Sequence, residues 1–334
     1  MRALTVRRPG ELGLEQRPDP AAGADELLVA PVVVGMCGTD LDIIDGAIDP
    51  AFVAYPIVLG HEWAGRVVTG ANGIPPGTRV VVEGLVPCGR CDECLAGATN
   101  RCRNYDEFGF TRDGAAADLL VAPIRLVHRL ADGVSWESAA LVEPAAVVYR
   151  ALARARPAAG ARVLVVGDGT VALLAARLAH IWEPSAVTML GARAAQAGLA
   201  EWAGVDHFTC DRGEAGDGYD LVVEAAGAVS ATAAALAAPA RGGTVVVLGF
   251  PGQGVSVPLV VDDLVNGDIT IAGSFSYTSQ AWTAVTDLLN SGRLDLGGLV
   301  SHRFGLDEYA AAIDALRNPD GIRGKVLVEV AQPG

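Results

Sequence analysis

Cys88, Cys91, Cys94 and Cys102 stand in the spacing C-x2-C-x2-C-x7-C, on a Gly-rich stretch that starts near Pro87. Four thiolates so close in sequence can surround one tetrahedral ion, and Zn²⁺ with four sulfurs at ~2.3 Å has no open position for substrate. That is the make-up of a structural zinc. Disulfide-linked or reactive thiols are the competing reading, disfavoured in a reducing cytoplasm. A four-cysteine iron–sulfur cluster is another, for which the rest of the chain offers no electron-transfer context. A second set of donors is spread more widely: Cys37 in GMCGTDLDIIDG, His61 in LGHEWAGRVV and Glu143 in LVEPAAVV. Taken singly, a cysteine is usually packing and a histidine a satisfied core residue. Together they offer sulfur, nitrogen and oxygen, three ligands that leave a fourth position for water or substrate, which is the pattern of a catalytic zinc.

These groups need elements to hold them. From Ala161 the chain reads RVLVVG, GDGTVA and VALLAARLAHIW, an extended apolar run, a tight turn and a helix. Gly167 and Gly169 permit the turn and the close approach of a pyrophosphate to the helix N-terminus, with Ala172 at the third small position. Further apolar runs at AVTML, YDLVVEAAG, GTVVVLGF and ITIAGSF alternate with Ala-rich helical stretches. That alternation predicts a doubly wound parallel sheet, an α/β fold, with right-handed crossovers. An α/β core without a ligand is the alternative. At the end of the second strand, TMLGARAAQ, no Asp or Glu lies between Glu183 and Glu201 to receive a ribose 2′-OH. Gly191 leaves space there and Arg193 could pair bidentately with a 2′-phosphate, so NADP is expected over NAD. The competing reading makes Arg193 a solvated residue at a helix start. His207 and Cys210, near the third strand, are read as structural.

The chain has 334 residues, which fits two domains of ordinary size. A hydrophobic fraction of 51% with 19% charged residues excludes a disordered chain and supports a sizeable core. The net charge of −14 argues against a phosphate backbone or an anionic bilayer as partner. The opening MRALTVRRPG has no apolar segment behind its arginines, and no apolar run reaches the ~18 residues of a membrane helix. A cytoplasmic protein is expected. Lys325 is the only lysine in the sequence.

With these motifs in order, the chain resembles the zinc-dependent medium-chain dehydrogenases/reductases of the polyol and threonine dehydrogenase type. CGTD, GHE, the four-cysteine lobe and the EP segment carry the likeness, which runs from MRALTV to GKVLVEV. It implies a GroES-like β-rich catalytic domain over 1–144 with a structural-zinc lobe at about 84–105. A Rossmann dinucleotide-binding domain would cover 145–275, and 276–334 would return to the catalytic domain. It further implies two zinc ions per chain, the catalytic one held by Cys37, His61 and Glu143 with Glu62 beside it as an exchanging ligand. Asp40 matches the carboxylate that orients the zinc-bound histidine, helix capping being its other reading. Thr39 matches the family's proton-relay hydroxyl. The relay usually continues to a histidine three residues on, but that position is Asp42 here, a departure that also reads as a solvated surface acid. The cofactor contacts would be Gly167, Gly169, Thr170, Val171, Gly191, Arg193, Ala226, Gly249 and Ser274.

The function implied is reversible oxidation of a secondary alcohol to a ketone on a polyol, sugar or (amino)cyclitol. Glu143 in place of a third cysteine resembles the polyol branch. The segment YDEFGFTRDGAAADLLVAP resembles aminocyclitol dehydrogenases, so that Asp106 and Glu107 could meet substrate hydroxyl or ammonium groups, a surface loop being the bland alternative. Three other functions compete: an NAD-dependent simple-alcohol or threonine-type dehydrogenase, a zinc-free quinone or enoyl reductase, and a non-catalytic zinc and nucleotide binder. The zinc-free reading would leave Cys37, His61 and Glu143 without a purpose. The resemblance also implies an active site between the domains and a homodimer or homotetramer, with ITIAGSF as the joining edge.

Overall fold

The computed structural model describes residues 1–318 and 321–331. The chain forms two compact units. The first holds Met1–Glu143 and takes the chain back at Thr278 and again at Lys325; the second holds 144–277 and the short loop 321–324.

The first unit is built on the strand Glu26–Met36. Its burial alternates at the start and becomes continuous from Pro31 to Met36, as a strand does when it runs from a half-solvated rim into the middle of a sheet. Its neighbours are Glu62–Thr69 on one side and Lys325–Glu329 on the other, both antiparallel. Leu120–Pro123 pairs with its first half. The sheet continues through Arg79–Val82 to Val127–Arg129 on one flank and through Val300–Gly305 on the other. A smaller sheet joins Glu11–Gln16, Arg2–Arg8 and Ile57–Val58. Leu4, Val29, Trp63, Phe108 and Val326 belong to the apolar core beneath these strands. Register decides which side chains meet at the end of the central strand. Gly35 stands opposite both Glu62 and Leu327, and Met36 opposite Val326. The chain leaving this strand at Cys37 therefore emerges beside His61 and Lys325.

The second unit is a six-stranded parallel sheet in the order His207–Thr209, Ala186–Leu190, Arg162–Val166, Tyr219–Glu224, Pro239–Val247, Thr270–Gly273. The Val-rich central strands are buried almost throughout, as expected where helices cover both faces. Numbered along the chain this is 3-2-1-4-5-6, the dinucleotide-binding order, with its switch point between Arg162–Val166 and Tyr219–Glu224. Gly167, Gly191, Ala226, Gly249 and Ser274 all lie within two residues of the carboxyl ends of five of these strands. The helix Thr170–Ala179 starts directly from the first of them, with Gly169 at its N-cap.

Candidate active site

Cys37 caps the helix Gly38–Asp45, and its backbone N–H donates to Asp40 Oδ2 at 2.8 Å. That bond turns the thiol back toward the sheet, where Sγ lies 3.2 Å from His61 Nε2. Glu62 Oε1 is 3.9 Å from the same nitrogen. Donor atoms of Cys37, His61 and Glu62 all fall within 4.8 Å of one another. Asp40 is fully buried and uses its second oxygen differently: Oδ1 sits 3.6 Å from His61 Nδ1. Its two readings are thus one arrangement, in which one oxygen closes the helix start and the other faces the imidazole. Neither Asp40 Oδ1 nor His61 Nδ1 has a hydrogen-bond partner among the described residues. Buried polar atoms left in that state are costly. A metal held by Nε2 would leave the proton on Nδ1, the nitrogen that faces Asp40. The soft thiolate, the imidazole and the carboxylate suit Zn²⁺.

The charges agree with a cation site. Burial disfavours charge on His61, but Cys37, Asp40 and Glu143 outweigh it and hold its pKa well above the usual histidine range. Burial raises the Asp40 carboxyl, opposed by His61. The sole lysine, Lys325, is 1% exposed and forms an ion pair with Glu62 Oε2. Glu62 and Cys37 overcome the burial penalty and raise its pKa. This pair occupies the space that Gly35 leaves: a Cβ there would stand 2.7 Å from Glu62 Oε2 and 2.8 Å from Lys325 Cε. Sequence reasoning missed Lys325. Its signal was a lone lysine opening the run Val326–Val328 of the last strand.

Glu143 is the second residue of the helix Val142–Ala155, and Pro144 after it is tolerated because first-turn N–H groups have no partner within the helix. Its carboxylate stands outside the group whose donors share 4.8 Å. Burial and the neighbouring Glu62 push its carboxyl up to about 8, with His61 opposing. Glu107, on the two-residue strand Asp106–Glu107, is pushed up to about 7 by burial, and His61 again pulls it down. Asp106 is exposed on the other side of that strand. Glu107 is therefore the acid of that pair which lies in the field of His61. Phe110, from the same loop, packs on the His61 ring at 5.4 Å between centroids. Thr39 lies half-buried between Cys37 and Asp40, whereas Asp42 is exposed.

The four remaining clustered thiols also converge. Sγ of Cys91 is 3.5 Å from that of Cys94 and 3.9 Å from that of Cys102, and Cys88 and Cys94 are 4.0 Å apart. These are not disulfides, and four sulfurs on a zinc at ~2.3 Å would be about 3.8 Å apart. Backbone N–H groups of Arg90 and Cys91 pull Cys88 down to about 6, while burial and the Cys91 thiol push Cys94 up to about 12. Such a split is what thiols sharing protons show before a cation replaces them.

In the second unit Gly167 has φ 122°, and a Cβ there would meet the Ala225–Ala226 peptide at 3.1 Å. Only glycine keeps that turn tight. Asp168 Oδ2 accepts the backbone N–H of Ala192 and Arg193, both at 2.9 Å, and Oδ1 accepts from Arg193 Nη2 at 2.6 Å. Arg193 is thus tied to the glycine turn. The space expected at Gly191 is taken up on its Cβ side by the protein itself: a Cβ there would stand 2.7 Å from the Phe208 ring and 3.1 Å from Asp168 Cβ, so the glycine serves the packing of that ring. Glu224, fully buried, accepts N–H bonds from Ala226 and Gly227 on one oxygen and Gly249 on the other, joining two of the candidate cofactor loops. Ser274 Oγ accepts from Arg150 Nη1 at 2.8 Å. Thr170 and Val171 open the helix. Asp168 and Glu224 went unnoticed in the sequence, although an acid closing the apolar run YDLVVE was visible there. His207 and Cys210 are exposed.

Comparison with known proteins agrees with this geometry. Residues 23–132 match the alcohol dehydrogenase GroES-like domain and 169–291 the zinc-binding dehydrogenase domain. The chain is 31% identical to an L-threonine 3-dehydrogenase of Pectobacterium atrosepticum, over 98% of this chain and 94% of that one. It is 30% identical to a sorbitol dehydrogenase of Bacillus subtilis, over 94% and 93%. A zinc-binding dehydrogenase from Sinorhizobium meliloti, solved bound to NADP, superposes with a TM-score of 0.91 at 29% identity, covering 98% and 99% of the two chains. With its two groups of metal donors, its 3-2-1-4-5-6 sheet and these relatives, the chain belongs to the zinc-dependent medium-chain alcohol dehydrogenases and is an alcohol-type oxidoreductase.

Proposed function

We propose that this enzyme exchanges hydride between NADP(H) and a secondary alcohol or ketone on a polyol, sugar or (amino)cyclitol, in the cytoplasm, as a homodimer or homotetramer. The observation that carries the reading is the cluster of Cys37, His61 and Glu62 within 4.8 Å, with the charges of Glu143 and Glu107 both coupled to His61. A zinc held by Cys37, His61 and Glu143 or Glu62 supplies Lewis-acid polarisation of the substrate oxygen, and a bound nicotinamide supplies the hydride acceptor. A second zinc held by Cys88, Cys91, Cys94 and Cys102 serves the fold. The chain's own residues do the rest. Thr39 Oγ1 accepts the proton of the substrate hydroxyl and passes its own toward solvent, where Asp42 is exposed. Asp40 sets the tautomer and plane of His61. Lys325 holds Glu62 by its second oxygen. Glu107, poised near neutrality, accepts a hydrogen bond from a further substrate hydroxyl or pairs with an ammonium group.

NADP is favoured because no acid follows the strand Ala186–Leu190, Arg193 stands there instead, and the Sinorhizobium relative was solved with NADP. Self-association is supported by the outer edge of Thr270–Gly273, which no strand among the described residues pairs, and by the exposed Val260, Val261, Val265 and Ile271 near it. No helix among the described residues is long and apolar enough to cross a membrane. The test follows nicotinamide absorbance at ~340 nm, a cofactor property, with NADP and NAD separately and zinc-loaded enzyme. The panel covers polyols, sugars, amino alcohols and aminocyclitols, and the corresponding ketones with reduced cofactor. A chelator-sensitive signal with NADP and a polyol or cyclitol is expected. Turnover restricted to NAD and simple alcohols would overturn the reading.

A further inference from the structure

Arg193 is the residue on which the NADP reading leans, and its guanidinium is already engaged within the nucleotide unit. Nε and Nη2 donate to Asp168 Oδ1 at 3.2 and 2.6 Å, Nε also reaches Oδ2 at 3.4 Å, and Nη2 donates to Asp168 O at 3.3 Å. A guanidinium offers an oxyanion two forks, Nε with Nη2 and Nη1 with Nη2. Nη2 belongs to both, and with its two hydrogens spent neither fork is whole. Nη1 alone makes no hydrogen bond among the described residues.

Asp168 is held in its turn. Oδ2 accepts the backbone N–H of Ala192 and of Arg193, both at 2.9 Å. With the two side-chain bonds on Oδ1 these fill the roughly four lone-pair sites of a carboxylate, which leaves none for a ribose hydroxyl. Asp168 is therefore no displaced version of the acid that an NAD site carries after its second strand. Its backbone oxygen is tied as well, by Gln196 Nε2 at 2.6 Å. That amide is fully buried, donates also to Arg323 O at 2.9 Å and accepts from Arg323 N at 2.8 Å. A phosphate that took the Nε and Nη2 fork would have to part Asp168 from Arg193 while the backbone bonds keep the carboxylate where it is. The Arg193 and Asp168 side chains are 21% and 8% exposed, so water screens their pairing little. A carboxylate fixed on one side of a guanidinium repels a dianion arriving on the other.

We propose that Asp168 is a positioning residue for cofactor choice: it holds and restrains Arg193, so that the 2′-phosphate of NADP meets one guanidinium nitrogen of an already balanced cation, and NAD is accepted beside NADP. This rests on the NADP reading given above. Asparagine at this position separates the two tasks of the carboxylate. Its carbonyl oxygen still accepts the N–H groups of Ala192 and Arg193, whereas its amide group is a donor and cannot hold the guanidinium. Nε and Nη2 are then free to receive the phosphate as a fork.

The test is fluorescence titration of zinc-loaded enzyme with NADPH and NADH, and displacement of the reduced cofactor by adenosine 2′,5′-bisphosphate and adenosine 5′-monophosphate. It compares the wild type with Asp168→Asn, Arg193→Ala and the double variant, each checked by thermal melting. Asp168→Asn is expected to raise the ratio of NADPH to NADH affinity by about tenfold, the scale of one freed charge-assisted contact. The ratio of bisphosphate to monophosphate should rise with it. Arg193→Ala should lower the NADPH to NADH ratio by less than about tenfold, because the contact it removes is a restrained one. The double variant should show no gain over Arg193→Ala, since Asp168 acts through that arginine. A ratio that stays or falls in Asp168→Asn, while Arg193→Ala still loses the preference for NADPH, would overturn the restraint and leave the NADP reading standing. A gain in the double variant as large as in Asp168→Asn would make Asp168 a bare charge acting on the phosphate and overturn its action through Arg193. A ratio unmoved by Arg193→Ala in both backgrounds would overturn the NADP reading and the proposal with it. Should Asp168→Asn fail to fold, Asp168→Ser, whose hydroxyl still accepts a backbone N–H, is expected to raise the same ratio, and an unchanged ratio there decides against the restraint.

Discussion

At the scale of single residues, the two metal-donor groups should separate in their consequences. Cys37→Ser or His61→Ala is expected to abolish turnover and reduce bound zinc from two equivalents to one, with the nucleotide unit still binding NADPH. Retained turnover would remove the catalytic assignment. Cys91→Ser should lose the other equivalent together with thermal stability, because a structural zinc contributes folding free energy directly. Zinc content by mass spectrometry and a melting curve read both. Lys325 and Glu62 invite a different measurement. Their ion pair is buried on both sides, so in the metal-free protein Lys325→Met strands a carboxylate and is expected to cost about 3–5 kcal/mol. Lys325→Met with Glu62→Gln should return most of that loss. A single variant as stable as the wild type in urea would mean that Lys325 contributes nothing to holding Glu62.

At the scale of elements, one strand and one turn do most of the positioning. Glu26–Met36 brings Cys37, His61, Glu62 and Lys325 together because Gly35 leaves room where they meet. Gly35→Ala should therefore destabilise by about 1–3 kcal/mol, the range for overpacking. Gly13→Ala, on the strand Glu11–Gln16, serves as the control, since a Cβ there meets nothing within 4 Å. Equal effects would deny the close-approach argument. The glycine turn carries a pH signature. Burial alone would raise the Asp168 carboxyl, but Arg193 and the N–H of Ala192 hold it below the usual carboxylate range. The unfolded chain then binds this proton more tightly than the folded one. The contribution is present in full above the ordinary aspartate pKa of about 3.9 and is lost as pH falls through the lower folded value. Urea midpoints between about pH 3 and 6 should show a shallower acid limb in Asp168→Asn than in the wild type. An unchanged limb would mean that Asp168 gains nothing from its partners.

At the scale of the whole molecule, the self-association proposed above is tested at the edge of Thr270–Gly273. Among the described residues its outer backbone groups have no neighbouring strand, and Ile271 is 38% exposed there. A second copy pairing along it would satisfy both. Light scattering should give a dimer or tetramer for the wild type and a smaller species for Ile271→Asp. A monomeric wild type at micromolar concentration would discard this edge as an interface.

Local spacing alone was enough for the four-cysteine lobe, because its sulfurs lie within 15 residues of one another and any fold of that loop brings them close. The alternation of apolar runs likewise determined the parallel sheet, since strands buried on both faces must read as continuous apolar segments. The turn at Gly167 was legible for a similar reason, as its geometry excludes side chains. What the sequence could not supply were partners set by register and loop return. Glu62 meets Lys325 because the terminal strand lies beside Glu26–Met36, and Gln196 meets Arg323 because the last loop folds back onto the glycine turn. Asp168 is one more residue of a glycine turn until Arg193 stands against it. Periodicity encodes which face of an element is buried, but long-range pairing depends on which strands lie side by side, and only the tertiary structure decides that.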